Sequence, residues 1–461
     1  MTDHPSGRAR AWLDRALKLG ERLLNAVFYP GQDWFARVVG GLWLAGLLLF
    51  GVYLWGIFYS WGNISFDFLD WAEVTGPRIA LLQNAVQKGV LPLHAENQTG
   101  LRGVTDRYFA IPDTPFSPEI LLLRFLSIGQ YLFVDTLLLY GIGFIGLVLI
   151  YRKYHLSPFA FLLLFLLFNF NGDITGHLAV GHSIYTAYFL IPFFILLALE
   201  LVEREQVGWK WVLGTSLVML AVLMQGLFHL YIWCLMFLGL LALLNLKLLK
   251  PVVLSGVFAV LVGLPRLLPP ALVVGSITHE FMGGFATLTD LLAGLLVLKD
   301  PDRAMIFPSK IYPLSWWELD YFIGLLGFAF LALFGVAAPL WRERLRRSPV
   351  TQLLLVSLIF TAFSTGQVFG AVINLLPVPP FTAERVTARL FAMPLVTLLI
   401  LAAIYMQGEI NRRKLTPGVQ LVLLGLAGLL YHDLYQHLQA WRIRFLDGLV
   451  YLFPTVPFEA A

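Results

Sequence analysis

Acidic residues are scarce in this chain, 28 Asp and Glu among 461 residues, so the places where they gather are informative. One such place is the stretch from 61 to 119, which holds Asp67, Asp70, Glu73, Glu96, Asp106, Asp113 and Glu119. Asp67 and Asp70 are three apart, as are Asp70 and Glu73, so on a helix each pair shares a face. Such carboxylates can serve as a general base and a metal ligand, or as two acids with separated pKa values; the alternative is a solvated loop face. His177 and His182 each follow a glycine, and His229 opens a later apolar run. No thiol and no His-Glu-x-x-His pattern accompanies them, which argues against zinc and leaves substrate contact or turn packing.

The cations raise the complementary question. Arg266 lies in Gly263-Leu264-Pro265-Arg266-Leu267-Leu268-Pro269-Pro270, well inside an apolar run. At about 1.5 Å per residue it sits roughly 21 Å along a helix. An arginine there needs water, an acid or an anion such as a lipid phosphate, unless it snorkels to the interface. Arg385 and Arg389 are spaced i, i+4, so both could address one anion, or pair with Glu384 or with headgroups.

The elements that must position these groups are membrane helices. Hydrophobic residues make up 59% of the chain and charged residues 13%, against about 25% charged in ordinary soluble domains. So few polar side chains could not cover a water-facing surface of this size. The fold class read from the sequence is an all-α polytopic membrane protein with about 11 transmembrane helices. The runs lie near 38–60, 130–151, 157–170, 183–202, 212–224, 228–246, 252–273, 321–340, 351–375, 390–406 and 419–438. Residues 1–37 read as an amphipathic interfacial helix on the cytoplasmic side rather than a cleavable signal. Two long outer loops, 61–119 and 275–320, carry further interfacial helices, and 407–461 holds the last span and an outer tail.

Nineteen of the 32 Lys and Arg fall in segments that share one side if the N-terminus is cytoplasmic. The carboxylate-rich loop and both histidines then face outward. A net charge of +4 on so apolar a chain speaks for orientation and not for nucleic acid. The single cysteine, Cys234, excludes a disulfide framework and a thiolate zinc site.

Many spans, an inside N-terminus and acids just after the first span resemble the GT-C superfamily of membrane glycosyltransferases, in particular its YfhO-like branch. Asp70 followed by Pro77, Gly89-Val90-Leu91-Pro92-Leu93, and Pro115-Phe116-Ser117-Pro118 are similar to motifs of that group. Gly176-His177 to Gly181-His182, Trp316-Trp317-Glu318 to Gly324, and Arg385 to Arg389 follow in the same order, and the likeness covers 38–406. His94 stands where the group has Trp, and Asp67-x-x-Asp70 is not a tight acidic pair, so no cofactor is certain and a divalent cation stays open.

The resemblance implies sugar transfer from a polyprenyl-phosphate sugar to an acceptor protein, lipid or glycan, on the outer face of a plasma membrane and among its lipids. It implies Asp70 as the base, with Asp67 as substitute. Arg266, Arg385 and Arg389 would hold phosphate, and Glu73, His177, His182 and Glu318 would contact sugar or acceptor. A transporter or flippase is the main rival, and a non-catalytic subunit with a GT-C-like body is a third reading.

Overall fold

The computed structural model describes residues 5–442 except 32, 65, 67–69, 93–107, 205, 274–280, 300–306, 309–312, 344–348 and 377–383. Asp67 therefore lies outside the described residues. The chain is a helical bundle. Helix α1 (Pro5–Phe28) precedes the first long apolar helix, α2 (Trp34–Phe58), whose start is fixed by Asp33 accepting from the Ala36 N–H. A π-helical turn, Trp71–Thr75, feeds α3 (Gly76–Lys88), which stops at Gly89 in the left-handed region. Helix α4 (Ile128–Lys153) opens on a Ser127–Gln130 capping box. Helix α5 (Pro158–Asn169) opens on Ser157 and Pro158.

Helix α6 (Gly172–Ala179) follows a one-turn break, and a 3-10 segment, Ser183–Leu190, runs into α7 (Ile191–Arg204). Helices α8 (Trp209–Met224), α9 (Phe228–Leu244), α10 (Leu249–Val273) and the short α11 (Leu288–Leu296) come next. A π-helical stretch joins α12 (Gly324–Phe330) to α13 (Ala338–Glu343), and α14 (Pro349–Phe363) is separated from α15 (Gly366–Leu375) by a bend. A 3-10 turn, Thr387–Phe391, leads into α16 (Ala392–Arg413), and α17 (Pro417–Arg442) is the last helix described. Strand pairing among the described residues is limited to Phe307–Pro308 with Pro313–Leu314 and two isolated bridges.

Among the described residues, eight helical segments are long and apolar enough to cross a membrane: 34–58, 128–153, 158–179, 183–204, 246–272, 324–342, 387–413 and 417–442. The chain is thus a multi-pass helical membrane protein. The expected count of about 11 also included α8, α9 and the run 351–375. The first two are apolar helices shorter than 18 residues, and the third breaks at Ser364–Thr365 into two short helices.

Burial sorts the helices into layers. The apolar windows of 158–179 and 387–413 are 94% buried, whereas that of 417–442 is 22% buried, so the former pair is the axis and the latter a lipid-facing flank. Leu42, Leu49, Leu217, Leu243, Leu261, Leu421 and Leu429 are exposed on that outer layer, as a hydrocarbon solvent permits. Polar side chains are instead turned inward, where many find partners. At one end, Gln407 accepts from the Ser157 N–H at 2.8 Å, and Glu409 collects Arg342, Arg412 and Arg413. At the opposite end lie Asp70, His177, His182 and His229.

Arg266 behaves as neither an anion ligand nor a snorkelling side chain. It is buried, and its guanidinium donates to the carbonyls of Phe109, Ile111, Pro112 and Thr114 and to the Thr114 hydroxyl. A loop inside the bundle leaves carbonyls that helices would have satisfied, and one planar cation gathers them. Gly226, at φ +87, lets the α8–α9 turn close on the same loop, because a Cβ there would lie 2.6 Å from the Thr114 carbonyl carbon. Replacing Arg266 by Met is expected to destabilise the protein by about 2–4 kcal/mol. Thermal unfolding in detergent measures this, and an unchanged midpoint would mean that water replaces the clamp.

Candidate functional site

Asp70 sits immediately before the π-helical turn and makes no capping bond with its side chain. Its carboxylate instead meets His182 Nε2 at 3.1 Å. What brings them together is a close backbone approach. Gly181 adopts φ +103, and a Cβ on it would lie 2.3 Å from the Trp71 nitrogen, so only glycine fits. The Trp71 indole donates to the Ala179 carbonyl at 3.0 Å and the Thr75 hydroxyl to the Gly181 carbonyl at 2.5 Å. The turn after α6 is thereby pinned to the π-helical turn, and π-turns inside helices are frequent at functional sites.

From His182 a chain of polar contacts runs inward. His182 Nδ1 lies 2.7 Å from His177 Nδ1, and His177 Nε2 lies 3.6 Å from Asp173 Oδ1. The Tyr185 ring stacks on His177 with centroids 3.8 Å apart. Asp173 and His177 are 1% exposed, whereas Asp70 is 23% and His182 15% exposed, so the chain opens at its Asp70 end. Helix α6 can carry these groups because Asn171 ends α5 and starts α6 at once. Its amide donates to the Leu167 and Phe168 carbonyls, and its oxygen accepts from the Asp173 N–H. A broken helix at this depth is tolerated when its freed groups are satisfied in this way.

Arg389 lies over Tyr185, its guanidinium 6.0 Å from the ring centroid. Its Nε and Nη2 engage both oxygens of Glu318, a bidentate pair, while Nη1 makes no hydrogen bond among the described residues. Burial alone would raise the Glu318 carboxyl, but Arg389 outweighs it and holds the group below the ordinary carboxylate range. A second carboxylate–imidazole dyad completes this end: His229 Nδ1 is 3.1 Å from Glu384 Oε2, which also accepts from the Trp233 indole at 2.9 Å. Burial again acts to raise the Glu384 carboxyl, and His229 reverses the sign. Beneath Glu318, Asp320 accepts from the His437 ring at 2.9 Å and from Trp441 at 3.0 Å, joining α17 to the site.

The structure therefore gathers Asp70, His177, His182, Glu318 and Arg389 at one end of the bundle. Other expectations fail for identifiable reasons. Glu73 is exposed, and the wider π-helical turn removes the face-sharing that a spacing of three gives on an α-helix. Arg385 and Arg389 do not share a helix, since Arg385 lies in a bend before the 3-10 turn and its Nη2 contacts Met282 Sδ at 3.2 Å. Glu384 pairs with neither, going to His229. His177 is too buried to touch a ligand directly. Among the described residues no group of three or more His, Cys, Asp or Glu is placed to hold a metal.

Sequence reasoning passed over Asp173 and Tyr185, although Asp173 precedes His177 by four residues and so shares its face. Nothing in the sequence marks Tyr185, Asp320 or His437, whose partners lie far along the chain. Compared with models of known families the chain matches none, and no curated protein matches it.

Two outcomes follow from the geometry. Gly181→Val should force the turn off Trp71 and cost about 2–4 kcal/mol of stability, read by thermal unfolding. A variant as stable as the parent would remove the docking contact from its role. Glu318 is a carboxylate held low, so its pairing stabilises the fold above the unfolded pKa of about 4.3 and ceases to as pH falls through the lower folded value. Glu318→Gln should accordingly be less stable than the parent near neutrality, with the gap closing below about pH 4. A gap independent of pH would contradict this.

Proposed function

We propose that the protein is an integral-membrane glycosyltransferase that moves a sugar from a polyprenyl-phosphate donor to an acceptor hydroxyl. The observation carrying this reading is Asp70: a partly exposed carboxylate fixed by an imidazole, at the same end of the bundle as an arginine whose Nη1 makes no hydrogen bond among the described residues. A general base must be held in place and reachable, and Asp70 is both. In the proposed reaction the acceptor oxygen attacks the anomeric carbon as its proton passes to Asp70. The bond from that carbon to the phosphate oxygen breaks, and the polyprenyl phosphate departs with the electron pair.

In this reading Arg389, through Nη1, and His229, oriented by Glu384, meet the developing phosphate charge. Arg266 is withdrawn from that role because it is buried and its Nη1 and Nη2 donate to the 109–114 loop. The likeness of motif order to GT-C enzymes supports the same assignment. The basic residues collected at the opposite end support placing the N-terminus in the cytoplasm, the site at the outer face of a plasma membrane, and the short α8, α9 and α14 among 11 crossings.

Reconstituted protein supplied with a polyprenyl-phosphate sugar tests the proposal. Asp70→Asn is expected to lower transfer about 10²- to 10⁴-fold while the protein stays folded and inserted. Full activity in that variant would remove Asp70 from the role. Movement of the intact lipid across the bilayer with no bond cleavage would replace the transferase by a flippase.

A further inference from the structure

We propose that Asp70, His182, His177 and Asp173 form a proton relay in which a buried acid, Asp173, exchanges its proton with the mouth of the site through two facing imidazoles. The deciding feature is that the two histidines meet through like atoms, Nδ1 to Nδ1 at 2.7 Å. Of two neutral rings in such contact, one donates and the other accepts, so they hold opposite tautomers. Their outer nitrogens are then opposite as well, one bearing a proton and one a lone pair. Each outer nitrogen faces a carboxyl group, His182 Nε2 toward Asp70 and His177 Nε2 toward Asp173.

Along these four groups two arrangements carry three protons and one negative charge; the 3.6 Å between His177 Nε2 and Asp173 Oδ1 is beyond hydrogen-bond distance, so that link must close by a few tenths of an ångström as the proton crosses. In the first, His182 Nε2–H donates to an ionised Asp70, His177 Nδ1–H donates to His182, and a protonated Asp173 donates to His177. In the second, all three protons have stepped outward: Asp70–H faces His182 Nε2, His182 Nδ1–H faces His177, and His177 Nε2–H faces an ionised Asp173. Interconversion breaks and forms three bonds to hydrogen, and needs no other reactant. A charge is better solvated at the open end, so the first arrangement is the resting one. Arg389, Glu318 and Asp320 also act electrostatically on Asp173, the Tyr321 hydroxyl approaches its carboxyl as a hydrogen-bonding group, and His182 and Arg389 act on His177.

The relay lets one exposed carboxyl act as base in the first arrangement and as acid in the second. That use rests on the role proposed above for Asp70; the relay itself does not. The test reads the unreacted full-length protein in nanodiscs by infrared difference spectroscopy. A protonated-carboxyl band that Asp173→Asn abolishes identifies Asp173. On mixing with D2O this band should shift promptly in the parent. In His177→Phe, which keeps the aromatic packing on Tyr185, the shift should slow by at least about tenfold. His182→Gln serves as a second interruption should the first variant fail to fold.

No carboxyl band lost in Asp173→Asn, or exchange as fast in the interrupted variants as in the parent, would overturn the relay. Slowed exchange in a protein that transfers no sugar would leave the relay standing and remove the transferase reading.

Discussion

The polar end of the bundle depends on two backbones touching at Gly181. The turn after α6 lies against the start of the π-helical turn closely enough that no side chain fits between them. Without that contact Asp70 and His182 would belong to separate loops. With it, a carboxylate that precedes α3 and a histidine more than a hundred residues later become neighbours at 3.1 Å. The bonds from Trp71 and Thr75 lock the same approach from either side, and Gly172, packed against Asp320, repeats the device one helix away.

A second constraint shapes what surrounds it. Hydrocarbon offers no hydrogen bonds, so each interruption of a helix inside the bundle must carry its own donors and acceptors. Asn171 does this for the α5–α6 break and Arg266 for the loop at 109–114. Arg266 looks like a ligand-binding residue in the sequence, because a charged group in an apolar run suggests function. Its Nη1 and Nη2 groups, like the Asn171 amide, in fact donate to main-chain carbonyls, while Asp70, His182, Arg389 and His229 keep partly exposed side chains at the rim.

Much of the architecture was legible from the sequence, since hydrophobic runs of adequate length report membrane helices directly. Helices α2, α4, α7, α10, α16 and α17 lie where those runs are. Breaks within runs were not legible: Ser364–Thr365 carries no proline, and its bend is set by the bridges of 283–285 to 365 and 386. For the site, local pairs were readable and distant ones were not. His177 and His182 stand out by proximity, and Asp70 by its company of acids. The partnership of Arg389 with Glu318, and of Glu384 with His229, displaced the simpler expectation that neighbouring charges pair with one another. Those choices depend on which elements pack together, which spacing along one helix cannot reveal.

The attachment of α17 to Asp320 bears on how the protein is made. His437 and Trp441 come from the last helix described, yet they hydrogen-bond an acid lying beneath Glu318. A ribosome delivers them after every other part of the site is already in the bilayer. Until then Asp320 lacks both of these partners. Assembly of this end is therefore a late event in biogenesis, and the site stays chemically incomplete until the helix that carries His437 and Trp441 has been inserted.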